Sequence, residues 1–252
     1  MQMRKAMGVM LLVGLVVQTA GGAAEDPARH VLKSNPGKEF YVYLPKSYQA
    51  DKQYWLLVAI HGMGGTGKGA VGFAYAADEL DCIVMGPTME VTAPPALLAQ
   101  MIQQLSQEHK LRPKILLTGS SNGSIVAHNV VSKYPLAVQA CAVFCPFLGS
   151  PTMQDRMVPY LLICGTTDRA FDGTRRYAAE AEWKGYAVQH LWLEGVGHTV
   201  TKEGRTAALE FFKKAIAVAE PAAKGKKKKF PPPKASQGDA TTREPGTQKQ
   251  QP

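Results

Sequence analysis

Cysteine is scarce in this chain and poorly placed to build a metal site. The four present, Cys82, Cys141, Cys145 and Cys164, all lie in or at the ends of apolar runs, and no pair has metal-ligand spacing. Buried free thiols are the expectation. Cys141 and Cys145 on one strand stand too far apart to bridge, which leaves a Cys145–Cys164 bridge between neighbouring strands as the alternative in an oxidising compartment. A long hydrophobic run is also lacking. Ala6–Val17 is apolar for about a dozen residues, short of the roughly 20 that a membrane span needs. No cysteine follows it, which argues against a lipoprotein anchor. Internal repeats are absent too.

Charge of one sign is missing where a fold would be. The net charge of +9 is carried mainly by the ends. Residues 221–252 hold eight Lys/Arg and two Asp/Glu, residues 1–24 add two basic groups, and residues 25–220 have 19 basic against 18 acidic side chains. The basic balance therefore describes the termini and gives no reason to expect specific nucleic-acid binding by the body.

The ends have their own patterns. Arg4 and Lys5, the apolar run, and the small residues Thr19–Ala24 follow the plan of a secretory signal peptide, cut after Gly22, Ala23 or Ala24. We therefore expect a secreted or periplasmic protein with no transmembrane span after processing. Residues 221–252 are rich in Lys, Pro, Gln and Thr, with Phe230 the only large apolar residue. Such a segment is expected to be disordered, with Lys226–Lys229 offering weak contact to an anionic surface. Residues 25–220 form the expected single domain.

Within that body, short apolar strands alternate with helical patterns. The strands expected are Phe40–Leu44, Trp55–Ile60, Cys82–Met85, Ile115–Thr118, Ala140–Phe144, Tyr160–Cys164 and Val188–Leu193. The helices expected are Gly69–Leu80, Ala96–His109, Asn122–Tyr134, Gly173–Gly185 and Glu203–Ala219. Continuous apolar strands between helices indicate an α/β fold, a mostly parallel central sheet covered by helices on both faces. Chemistry in such a sheet sits just beyond the carboxyl ends of the strands.

Four segments occupy that edge. Gly119–Ser124 (GSSNGS) contains G-x-S-x-G, a strand turning sharply into a helix with its serine held in strained geometry. Positions two before and two after the serine crowd neighbouring backbone, and only Ser121 has glycine at both. A serine hydroxyl needs a base. Of the six histidines, His198 in GVGH follows the strand Val188–Leu193, whereas His30, His109, His128 and His190 fall before the sheet, in helices or within a strand. The base needs an acid. Asp168 in GTTD lies four residues past the strand Tyr160–Cys164; its rival, Asp172, sits where a helix N-cap is wanted. The order Ser121, Asp168, His198 is that of an α/β-hydrolase catalytic triad.

The fourth segment, His61–Ala70 (HGMGGTGKGA), is open to two readings. Gly62–Lys68 matches most of a phosphate-binding loop, but Gly69 stands where Ser or Thr should hold magnesium, and no second strand ends in a suitable Asp. The other reading is an oxyanion loop, whose glycines let backbone N–H groups approach a developing negative charge.

On HGMGG, GSSNG, GTTD and GVGH, together with the lead-in YVYLPKSY, the body from about Phe40 to Ala219 resembles the small, lidless esterases of the α/β-hydrolase superfamily. The similar groups are the polyhydroxybutyrate-depolymerase, feruloyl-esterase and dienelactone-hydrolase-like enzymes. The resemblance implies an oxyanion hole from the amides of Met63 (or Gly64) and Asn122, a secreted serine esterase working through an acyl-enzyme on Ser121, and no metal or cofactor. It implies an ester substrate, small or polymer-linked. The short, Pro-containing connection before Tyr160 predicts no large cap. A peptidase or thioesterase on the same triad, and a non-catalytic binding protein that kept the fold, remain alternatives.

Overall fold

The computed structural model describes residues 27–224. The signal-peptide expectation for 1–24 lies outside them, as does the tail beyond Lys224, including Lys226–Lys229. Among the described residues no helix is long and apolar enough to cross a membrane.

Eight strands form one sheet in the order β1-β2-β4-β3-β5-β6-β7-β8. They are β1 (Ala28–Val31), β2 (Glu39–Tyr43), β3 (Tyr54–Ile60), β4 (Cys82–Pro87), β5 (Leu111–Ser120), β6 (Val138–Phe144), β7 (Tyr160–Gly165) and β8 (Val188–Leu193). β1 and β2 are antiparallel to their neighbours, and every pairing from β4 through β8 is parallel. The helices are α1 (Gly67–Ala70), α2 (Tyr75–Leu80), α3 (Pro95–Glu108), α4 (Asn122–Lys133), α5 (Phe171–Trp183) and α6 (Lys202–Lys224).

Burial explains the continuous apolar runs. All seven residues of β3 are buried. Leu56, Val58 and Ile60 face a core completed by Leu98 and Met101 of α3, Val130 of α4 and Tyr177 of α5. Trp55, Leu57 and Ala59 face a second core, completed by Ala77 of α2 and Phe211 and Phe212 of α6. Because successive side chains point to opposite faces, a strand covered on both sides has no polar position to alternate with.

Three features differ from the sequence reading. β1 was not expected. It is short and mostly exposed, and Gln104 of α3 secures its end by donating to the Val31 carbonyl (3.0 Å) and accepting from the Lys33 N–H (2.8 Å). The helix expected over 69–80 is broken into α1, a 3₁₀ turn at Val71–Phe73, and α2. Gly69 and Gly72 weaken it, since glycine costs about 1 kcal/mol against alanine in a helix interior. Finally, α6 runs to Lys224, past Pro221.

The centre of the sheet is where backbones approach most closely. A Cβ on Gly119 would lie 2.3 Å from the Gly123 carbonyl oxygen, and one on Gly123 would lie 2.4 Å from the Ile60 oxygen and 2.6 Å from that of His61. These two glycines let α4 rise directly from β5 against the end of β3. Gly123→Ala should therefore destabilise the fold by about 1–3 kcal/mol or prevent folding. At Gly69 a Cβ meets nothing within 4 Å, and Gly69→Ala should be neutral or stabilising by up to about 1 kcal/mol. Urea-denaturation midpoints of the two variants test the contrast.

Candidate active site

Ser121 stands between β5 and α4 with φ 53° and ψ −121°, a conformation rarely adopted by residues other than glycine. The turn is held from several sides. The Ser121 N–H donates to the Phe144 carbonyl at the end of β6 (2.9 Å). The Ser121 carbonyl accepts from the Ser124 N–H (2.9 Å) and the Ser124 hydroxyl (2.5 Å). Ser124 Oγ in turn accepts from the Phe147 N–H (3.1 Å), tying the turn to the loop after β6.

The loops carrying Asp168 and His198, after β7 and β8, are joined to each other. The Thr166 N–H donates to the Leu193 carbonyl (3.0 Å) and the Thr167 N–H to the Val196 carbonyl (3.1 Å). The Gly195 N–H donates to Thr166 Oγ1 (2.9 Å). A Cβ on Gly165 would meet the Val196 oxygen at 2.0 Å, so the two loops pack backbone to backbone.

That packing brings Ser121, His198 and Asp168 together, from positions up to 77 residues apart. His198 Nε2 lies 2.9 Å from Ser121 Oγ. His198 Nδ1 lies 2.9 Å from both Asp168 carboxylate oxygens. With Nδ1–H donating to the carboxylate, Nε2 is left as the acceptor for the serine hydroxyl. The Asp168 side chain is fully buried, while that of His198 is 32 % exposed. The line thus runs from a sealed carboxylate to an accessible hydroxyl.

Burial by itself would raise the Asp168 pKa. The Ala170 N–H (2.9 Å to Oδ1), the His198 and Cys145 side chains, and the charge of His198 together hold it below the ordinary value. Asp168 Oδ1 thus holds the N–H of Ala170, the residue immediately before α5. Asp172 is no N-cap: it lies in the first turn, 84 % exposed, with Ala170 at the cap position.

Cys145 was not recognised from sequence as part of this site. It follows β6 directly, at φ 47°, and its buried thiol faces the Asp168 carboxylate and the Thr199 carbonyl (3.3 Å). Its location past a strand end was the available signal. Burial, followed by hydrogen bonding to Asp168, pushes its pKa up to about 12, and burial with the charge of Asp168 pushes Cys164 up to about 11. Both remain protonated donors at neutral pH. All four cysteines are free. Donor atoms of Cys145, Asp168 and His198 lie within 4.8 Å of one another. This is an S, O, N set of the kind transition metals accept, but an ion would have to displace the thiol and Nδ1 protons that hold the cluster together.

The glycine-rich loop lies against the same serine. A Cβ on Gly62 would sit 3.4 Å from Ser121 Cβ. His61 braces this loop: its Nδ1–H donates to the Gly62 carbonyl (2.7 Å), and its Nε2 accepts from the Met89 N–H (3.1 Å). The Gly67 N–H donates to Thr88 Oγ1 (2.9 Å). Met63 projects its side chain into solvent, 76 % exposed. Asn122 is the first residue of α4, where a backbone N–H has no partner within the helix. Of the two expected oxyanion-hole residues, Met63 thus follows Gly62 in the loop after β3, and Asn122 follows Ser121 at the helix start.

Comparison with solved structures identifies the architecture. A thermostable esterase matches with a TM-score of 0.58 at 17 % identity, over 79 % of this chain and 63 % of that one. A ferulic acid esterase matches at 0.60 and 16 %, over 72 % of this chain and 92 % of that one. A hyperthermophilic esterase from the archaeon Pyrobaculum calidifontis matches at 0.60 and 15 %, over 77 % and 83 %. The fold is that of the α/β-hydrolases. No family model matches the sequence, and no curated protein matches it. The chain spans less than two thirds of the thermostable esterase. The connection between β6 and β7 is residues 145–159, with only a 3₁₀ turn at Asp155–Met157, so no cap stands on that connection.

The depressed Asp168 pKa makes a prediction. A carboxylate held below its unfolded value of about 3.9 stabilises the fold above that pH, and the contribution disappears as pH falls through the folded value. The stability gap between the wild type and Asp168→Asn should therefore be larger at pH 7 than at pH 3. Urea unfolding at the two pH values measures it.

Proposed function

We propose that this chain is a serine carboxylic-ester hydrolase. The observation that carries this reading is the continuous hydrogen-bonded line from Ser121 through His198 to Asp168, set at a strained strand-to-helix turn beside a glycine-rich loop. Solved structures of the same fold that are named as esterases support the reaction class.

As Ser121 Oγ bonds to the ester carbonyl carbon, its proton passes to His198 Nε2. Asp168 stabilises the resulting imidazolium through Nδ1–H. The carbonyl oxygen becomes an oxyanion, which the amides of Met63 and Asn122 stabilise; each such donor is worth roughly 3–4 kcal/mol. The intermediate collapses, the bond to the alcohol oxygen breaks, and His198 returns its proton to the departing alcohol. A water then repeats the sequence on the acyl-enzyme: its proton goes to His198, its oxygen bonds to the carbonyl carbon, and Ser121 leaves with the proton as the acid is released. The uncapped β6–β7 side suits bulky or polymer-linked esters. The patterning of residues 1–24 supports an exported enzyme; N-terminal sequencing of the mature protein checks that.

Wild type should hydrolyse short-chain aryl esters and take up one fluorophosphonate per chain. Ser121→Ala should lose both, with kcat reduced about 10⁴-fold or more. Retention of activity in a folded Ser121→Ala variant refutes the assignment.

A further inference from the structure

Two residues beside the triad have no part in the proton transfers. Phe147, in the loop after β6, is half-buried and places its ring 5.6 Å from that of His198 at 39°. Arg169 follows Asp168 in sequence, is exposed, and sets its guanidinium carbon 5.3 Å from the Phe147 ring centroid. Some surface cations of this fold pair with carboxylates, among them Arg29 with Glu39, Lys184 with Glu180 and Lys213 with Glu210. Among the described residues no carboxylate forms an ion pair with Arg169. His198, Phe147 and Arg169 thus make a row leading from the imidazole to an accessible cation.

The chemistry decides which half of a substrate meets that row. The departing alcohol takes its proton from His198 Nε2, so its oxygen must lie against the imidazole. The rest of the alcohol then extends past His198, whereas the carbonyl oxygen points toward the Met63 and Asn122 amides. Phe147 supplies an apolar ring surface, and Arg169 supplies a planar, permanently charged fork suited to a carboxylate, sulfonate or phosphate. Its cation–π contact with the Phe147 ring favours this placement of the guanidinium and limits the ordering cost on binding.

Resting on the esterase reading, we infer that Arg169 and Phe147 form a leaving-group subsite, selecting esters whose alcohol half carries an apolar spacer and then an anionic group. The carbonyl side of the site does not share this preference.

The test uses acetate esters of 4-hydroxybenzoate and of its two-ring homologue, each against the corresponding neutral methyl carboxylate. An aryl hemisuccinate, whose anion lies on the acyl half, is the third probe. For wild type, kcat/KM for the anionic phenol relative to its neutral partner should exceed the ratio set by free hydroxide by about tenfold, and the excess should shrink as ionic strength rises. In Arg169→Gln that ratio should fall about tenfold, in Arg169→Lys it should be intermediate, and the hemisuccinate should not follow the change. Circular dichroism establishes that each variant is folded. A ratio unchanged within twofold in folded Arg169→Gln overturns the subsite while leaving the esterase reading intact. Absence of turnover on every ester, with no fluorophosphonate uptake by wild type, overturns both.

Discussion

The crowding at the end of β5 governs this molecule. A helix that rises immediately from a buried central strand must bring its first turn against the carbonyls of the neighbouring strand, here those of Ile60 and His61. Only glycine at 119 and 123 makes room, and the residue between them is forced to positive φ. Such a conformation costs on the order of 1–3 kcal/mol and persists because the surroundings over-determine it. Two covered faces of sheet, the hydrogen bond from Ser121 to the Phe144 carbonyl and those from Ser124 to the Ser121 carbonyl supply that determination. The result is a hydroxyl presented at the rim while its backbone is fixed by the core.

The same economy of backbone appears at the other loops of the rim. Gly165 lets the loop carrying Asp168 lie directly on the loop carrying His198, and Gly62 lets the glycine-rich loop lean on Ser121. Asp168 is then surrounded by donors: a helix-start N–H, an imidazole and a thiol. A buried carboxylate is costly unless paired, and here the pairing also fixes the imidazole tautomer. Stability of the rim and poise of the proposed base are one arrangement of hydrogen bonds.

Much of this was legible in the residues. Continuous apolar runs mark strands covered on both faces, and three motifs placed after such runs single out Ser121, Asp168 and His198. The steric check on Gly119 and Gly123 worked because it concerns contacts between near neighbours in sequence. Failures came where partners are distant. β1 carries little apolar signal, and its end is secured by Gln104, about seventy residues away. Local preference put an N-cap at Asp172, but α5 begins earlier, at Phe171, behind Ala170, which offers no side-chain cap. Cys145 is the buried free thiol expected, but the carboxylate it faces lies on another strand's loop, beyond local reading. His61 headed a motif, yet its bond to Met89 belongs to β4's exit.

By itself the sequence determined which residues are candidates for the chemistry and which edge of the sheet they belong to. Periodicity and turn sterics are local, and a parallel sheet converts chain order into a common rim. Distances, tautomer, the protonated thiol beside the acid and the Phe147–Arg169 row were decided only by tertiary structure. They depend on loops from different strands meeting within a few ångströms, and no local spacing encodes that meeting.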